Sequence, residues 1–208
     1  MKKLLTIGTR ASKLALWQAN HVKEFLLKNF PAIDVELREI ITTGDANSED
    51  TIESFGGKNI FVKEIEQALI SKEIDIAVHS YKDLPAELPE GLEVISTSNR
   101  EDPRDVLVTK SNKTLMDLND NPKIGTGSSR RSEQLAHIRK DVNIIPIRGN
   151  VDTRIRKALE TDIDGVVLAN AGIKRLGLSN HVCELFDIDV IVPSPLQGFL
   201  AIEAREDA

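Results

Sequence analysis

The chain has 208 residues, enough for one large domain or for two of about 100 residues each. Its composition, 40% hydrophobic and 29% charged, is that of a soluble globular protein, and no run approaches the ~18 apolar residues of a membrane span. A net charge of −6 argues against nucleic acid as the main partner, and one cysteine, Cys183, allows neither an intramolecular disulfide nor a thiolate metal cluster.

The opening MKKLLTIGTRASK has the basic start of a signal peptide, but its apolar run stops after Ile7 and Arg10 follows. It reads as a first strand of a cytoplasmic protein. Ser12 is placed to cap a helix whose apolar positions Leu16, Ala19, Val22 and Leu26 recur at helical spacing. DVELREII (34–41) is the next strand. The polar stretch 44–59 has no periodicity and reads as a mobile loop. FVKEIEQALISKE predicts a helix with Phe61, Ile65 and Ala68 or Leu69 inward, DIAVHS (75–80) a buried strand, and GLEVIS another.

The second half repeats this grammar. DVLVTK, KIGTG, NIIPIRG and DGVVLAN are strand candidates, and TLMDLN, SRRSEQLAHIRK and VDTRIRKALET are helix candidates. Alternation of this kind predicts α/β architecture with parallel, doubly wound sheets. Two aperiodic joints, STSNREDPRD (96–105) and IVPSPLQG, imply that the chain crosses between domains twice. The expected division is 1–98 plus 198–208 for one lobe and 99–197 for an arginine-rich second. This predicts two hinged lobes resembling the type II periplasmic-binding-protein fold, with a ligand cleft between them at the carboxyl ends of the strands.

Charge is unevenly spread. Residues 45–105 hold 15 acidic and 6 basic side chains, whereas residues 123–157 hold 9 basic and 3 acidic, and six of the twelve arginines fall between 130 and 156. The guanidinium fork matches carboxylate or phosphate, so this clustering favours a small polyanionic ligand. The notable residues follow strands: Thr9 and Arg10; Ser80, Tyr81, Lys82 and Asp83; Ser128, Ser129, Arg130 and Arg131; Arg148, Gly149 and Asn150. GTGSSRR combines helix-start amides, hydroxyls and two guanidiniums in one anion-binding corner, while lacking the third glycine of a dinucleotide loop. Arg148 ends an apolar strand, a poor place for a decorative charge. Arg139, Lys140, Arg156 and Lys157 read as helix surface. Asp83 reads either as the cap of a short turn or as a lone carboxylate among arginines, placed to stabilise a cation or move a proton. No His pair has metal-ligand spacing, and Cys183 sits in a helix-like stretch, HVCELFD.

At this level the chain resembles the hydroxymethylbilane synthase (porphobilinogen deaminase) family. The resemblance runs nearly end to end through IGTRASKLALWQA, GGKNIFVKEIEQAL, DIAVHSYKDLP, REDPRDVLV, GTGSSRR, IRGNVDTR, LANAGIKRLG and QGFLAIE. It implies condensation of four porphobilinogens, with loss of ammonia, on a dipyrromethane cofactor, by a monomer acting in porphyrin and haem biosynthesis and engaging neither membrane nor nucleic acid. Porphobilinogen and oligopyrrole intermediates carry acetate and propionate arms. The resemblance assigns these to Arg10, Arg130, Arg131, Arg148, Arg154 and Arg175, with Ser80 and Ser128. Asp83 matches the catalytic aspartate, assisted by Lys82, and Lys58 and Phe61 match residues that close over the site. GTGSSRR stands where the family has GTSSLRR, Asn59 stands where glycine is common, and Leu196 stands where glycine often precedes QG. A family member continues past IEAREDA into a third domain carrying the cofactor cysteine, which Cys183 does not match. The resemblance therefore implies that these 208 residues cannot hold the cofactor covalently and are inactive by themselves. Two other readings stay open: a two-lobed receptor for small anions, and a pyrrole-binding fragment without turnover.

Overall fold

The computed structural model describes residues 2–46 and 62–208; Lys58 and Phe61 lie outside them, as does most of the 44–59 stretch. In chain order the elements are β1 (Lys3–Thr9), α1 (Lys13–Asn29), β2 (Ile33–Glu39), α2 (Thr43–Ala46), α3 (Lys63–Ile70), β3 (Ile76–Ser80) and β4 (Leu92–Thr97). There follow β5 (Asp105–Thr109), β6 (Lys123–Gly125), α4 (Ser129–Ile138), β7 (Asn143–Ile145), α5 (Val151–Glu160) and β8 (Gly165–Ala169). The last are α6 (Asn170–Arg175), β9 (Glu184–Leu185) and β10 (Leu200–Arg205), with short 3-10 turns at Tyr81–Asp83 and Ser179–His181.

The chain divides into two compact units, the first running to Arg100 and regained at Phe199–Ala208, the second Glu101–Gly198. In the first unit the sheet order is β2-β1-β3-β10-β4. Because side chains alternate across a strand, its two faces build separate cores. Ile7, Val35, Ile76, Val78 and Leu200 meet Ala19 and Val22 of α1. On the opposite face Ala77 and Leu92 meet Ile65 and Leu69 of α3. Ser12 caps α1, its hydroxyl accepting from Ala15 N at 3.3 Å.

The second unit has the order β7-β6-β8-β5-β9. Val106, Val108, Val166 and Leu168 pack with Ile155 and Ala158 of α5, while Leu107, Ile124 and Val167 pack with Leu135 of α4. Each unit is thus an α/β sheet sandwiched between helices.

Several expectations need correction. The sheets are mixed rather than parallel: β10 runs antiparallel to β3 and β4, and β5 runs antiparallel to β8 and β9. A fully apolar strand reads the same in either direction, so the sequence does not encode this. TLMDLN is no helix. Thr114 Oγ1 donates to Asp117 Oδ2 at 2.6 Å and Leu115 N–H to Glu184 Oε2 at 2.7 Å, a locally bonded turn that buries Leu115 and Leu118 three residues apart. HVCELFD is not helical either: Cys183 N–H donates to Leu107 O at 2.9 Å, and β9 pairs with the edge of β5. Arg139 is buried rather than a surface residue. Its guanidinium donates to the carbonyls of Leu115, Leu118 and Asn119 and to Asp141, tying down the loop before β6.

Candidate functional site

In the second unit β6, β7 and β8 are parallel, so their carboxyl ends lie along one edge of the sheet. That edge gathers the loop Thr126–Ser128 ahead of α4, the Arg148–Asn150 turn ahead of α5 and the start of α6. β5 runs the other way and pairs its first residue, Asp105, with Ala169, so a carboxylate arrives at the same edge.

Asp105 is fully buried and organises the corner. Arg130 Nη2 and Arg131 Nη2 each donate to it at 2.7 Å, one to each oxygen, and Gln197 Nε2 adds a bond at 2.9 Å. Arg130 Nη1 also donates to Val192 O at 2.6 Å, and Arg131 Nη1 to Val167 O at 3.1 Å. Burial pushes the Asp105 carboxyl up, but the Arg131 and Arg130 guanidiniums outweigh it and hold the group below its ordinary value. Ser128 acts as N-cap of α4, its hydroxyl accepting from Arg131 N at 3.5 Å. The paired arginines are therefore engaged within the unit, and Asp83 is not the lone carboxylate beside arginines. Arg131 is itself buried, whereas the Arg130 side chain keeps 24% exposure and faces outward in part.

Gly127 explains the close fit of this corner. A Cβ there would meet Ile147 O at 2.9 Å, a backbone atom that cannot turn aside. Gly127→Ala is expected to cost about 1–3 kcal/mol by overpacking, read as a lowered midpoint in denaturant with an unchanged slope.

Arg148 follows Ile147 off the end of β7. Its Nη2 is buried and has no hydrogen-bond partner among the described residues, as is Nε of Arg131. A buried guanidinium N–H without an acceptor is costly, which marks both as donors awaiting one. Arg154 folds back, its Nε donating to Gly149 O at 2.6 Å, where Gly149 adopts φ +110°. Arg175 donates to Gly198 O at 2.7 Å, and burial pushes its guanidinium below the usual value against the opposing charge of Glu101. Nearby Asp102 takes a two-pronged bond from Arg104, with Nε at 2.9 Å and Nη2 at 2.7 Å, and a further one from Asn170 Nδ2 at 3.0 Å. The Arg104 contact leads in holding the Asp102 carboxyl down at about 2.

In the first unit β1 and β3 run parallel, placing Thr9 and Arg10 on the same sheet edge as Ser80 and the turn that follows it. Ser80 Oγ accepts from Gln18 Nε2 of α1 at 2.8 Å, so a buried amide fixes that hydroxyl. Tyr81–Asp83 forms a 3-10 turn in which Leu84 N–H donates to Tyr81 O at 3.2 Å. Leu84 is buried and anchors the turn, Lys82 is half-buried, and Asp83 is exposed. Sequence reasoning missed Asp105, Gln18 and Gln197. Asp105 carried a signal all the same, a charge abutting the wholly apolar run VLV.

Comparison with known proteins gives this geometry its context. The family model described as "Porphobilinogen deaminase, dipyromethane cofactor binding domain" matches residues 5–208. The porphobilinogen deaminase of Syntrophomonas wolfei is 49% identical over 203 residues, covering 98% of this chain and 66% of that protein. That of Pelobacter propionicus is 50% identical over 201 residues, covering 97% and 64% respectively. The chain thus spans just under two thirds of the length of these relatives. Among solved structures, a putative methionine-binding lipoprotein from Bacillus subtilis aligns with TM-score 0.58 at 12% identity, over 98% of this chain and 84% of that one, a likeness of fold alone. Among the described residues no helix is long and apolar enough to cross a membrane. With a family model covering almost all of its length and relatives near 50% identity, the chain belongs to the porphobilinogen deaminase family.

Proposed function

We propose that this chain supplies the cofactor- and pyrrole-binding part of an enzyme that condenses four porphobilinogens head to tail into hydroxymethylbilane, releasing ammonia at each addition. The observation that carries the reading is the sheet edge of the second unit, where buried guanidinium N–H groups of Arg148 and Arg131 have no acceptor among the described residues. A ligand bearing several carboxylates fits that donor set, since a charged guanidinium N–H is a strong donor to a carboxylate oxygen. Dipyrromethane is such a group, and so is every oligopyrrole grown from it.

Arg148 and the outward-facing part of Arg130 hold acetate and propionate arms, Arg154 and Arg175 extend the set within the second unit, and Arg10 is the carboxylate-holding arginine of the first. Arg131 keeps its corner rigid through Asp105 and presents only Nε. Ser128, as the helix cap, aligns the amides at the start of α4. Ser80 is oriented by Gln18. When bound, the dipyrromethane supplies the pyrrole carbon on which the product is built. Asp83 stabilises positive charge developing on a porphobilinogen ring as ammonia departs, then accepts a proton once the new bond has formed. Lys82, its neighbour in the turn, balances its charge.

Porphobilinogen titrated into the protein, with hydroxymethylbilane followed as the porphyrin formed on its cyclisation, tests the reading. Binding with turnover, or binding alone, supports it. Arg148→Ala is expected to weaken binding roughly tenfold to a hundredfold through the lost charged pair. Neither binding nor turnover by the wild-type protein would overturn it.

A further inference from the structure

The pyrrole chemistry makes no use of a trio of ionisable groups buried in the first unit. Glu203 of β10 is fully buried, and His79 of β3 and Glu66 of α3 are each 6% exposed. His79 Nε2 donates to Glu203 Oε2 at 2.9 Å. The other oxygen of Glu203 and Oε1 of Glu66 are buried with no donor among the described residues. The three share one sheet face: β3 presents Ala77 and His79 there, β10 presents Ala201 and Glu203, and α3 covers them.

The surroundings offer little compensation. Arg205, two residues beyond Glu203 on the same face, points its Nη1 at Leu69 O and Ile74 O and pairs with Asp207 at 3.4 Å. β4 contributes Leu92 and Val94, the Tyr81 ring packs with Val62, Leu84 and Ala201, and Lys63 of α3 is exposed. Two carboxylates facing one imidazole leave a net negative charge in the core even if the imidazole is charged, and bare buried carboxylate oxygens are heavily penalised. One further proton removes the excess. Glu66 is the group to carry it: burial pushes its carboxyl up, the Glu203 charge pushes it the same way, and His79 opposes only in part.

We propose that Glu66, His79 and Glu203 form a proton-holding latch in which Glu66 carries the extra proton, seating α3 on the β3–β10 pair and so positioning the Ser80–Asp83 turn. The register makes the link short. His79 opposes Ala201, Ser80 opposes Leu200, and Tyr81 N–H donates to Phe199 O at 3.1 Å. The three are positioning residues, one step behind the turn. For a carboxyl raised above its ordinary value of 4.5, the stability it contributes is complete below that value and is lost as pH rises through the folded value. The latch therefore loosens on the alkaline side.

Difference infrared spectroscopy of the protein, with hydrogen exchange at the Tyr81 and Leu84 amides, tests this without any pyrrole, so failure here is distinguishable from failure of the proposed function. At pH 7 the wild-type protein is expected to show the carbonyl stretch of a protonated buried carboxyl, lost in Glu66→Gln. Corrected for intrinsic rates, the protection of both amides is expected to fall as pH rises to 9 in the wild type and to stay level in Glu66→Gln. Absence of the protonated band from the wild type at pH 7 overturns the proposal and needs no variant. An unchanged pH dependence of amide protection in Glu66→Gln also overturns it.

Discussion

Replacing Asp105 by alanine is expected to destabilise the second unit by about 3–5 kcal/mol, because it strands two guanidiniums that share one buried carboxylate. Arg131 sits at 5% exposure and cannot recover the loss by turning to water. Gln197 Nε2 loses its bond to Asp105 too, while its bond to Pro103 O remains. Asp105→Asn retains shape and one acceptor oxygen but not the charge, so a smaller loss is expected. Chemical denaturation checks both. The sign with pH follows from the depressed carboxyl: its contribution is present above the ordinary value of 3.8 and fades as pH falls through the folded value. Asp105→Asn should therefore be most damaging near neutrality and approach the wild type in strong acid. Equal stability of Asp105→Ala and wild type at pH 7 would mean that the arginines find other acceptors.

The sequence made most elements legible, because apolar periodicity is a direct image of a two-faced sheet covered by helices. Of the positions at helical spacing in α1, Ala19, Val22 and Leu26 do pack in the core, and the strand candidate DGVVLAN is β8, with Gly165–Leu168 buried. Strand direction was not legible. β5 and β8 are equally apolar, and only the return of the chain sets them antiparallel. Partners of charged groups were the other blind spot. Arg148 stood out as a charge at the end of an apolar strand, and the same argument applies to Asp105 ahead of VLV and to Glu203 inside LAIEAR. Both prove fully buried. Arg139 escaped because the end of an amphipathic helix is normally solvated; what buries it is the turn Leu115–Asn119, whose carbonyls require a donor. Where Leu196 stands, the backbone takes φ +61°, a left-handed conformation that favours glycine. Sequence alone marked the position only as a departure from the family pattern.

In a protein that carries these residues within the full length of the family, Asp83→Asn is expected to lower porphobilinogen consumption by roughly a hundredfold or more while leaving the fold intact. The second half of that expectation rests on the turn. Tyr81–Asp83 is closed by a backbone bond from Leu84, with Leu84 buried below it, and the exposed Asp83 side chain supports neither. Asparagine keeps the shape, so thermal stability should stay within about 0.5 kcal/mol of wild type, as for other exposed positions. The first half rests on charge alone. An amide cannot stabilise a developing cation as a carboxylate does, and it cannot accept the proton released when two rings join. A loss in kcat with substrate affinity little changed would place Asp83 in the chemical step. Near-normal consumption would return it to the role of a turn residue, and a fall in stability equal to the fall in activity would make it a structural cap. Arg148→Ala provides the contrast, since a residue that grips carboxylates in ground and transition states alike should act chiefly through affinity. Opposite signatures from these two substitutions would separate binding from chemistry.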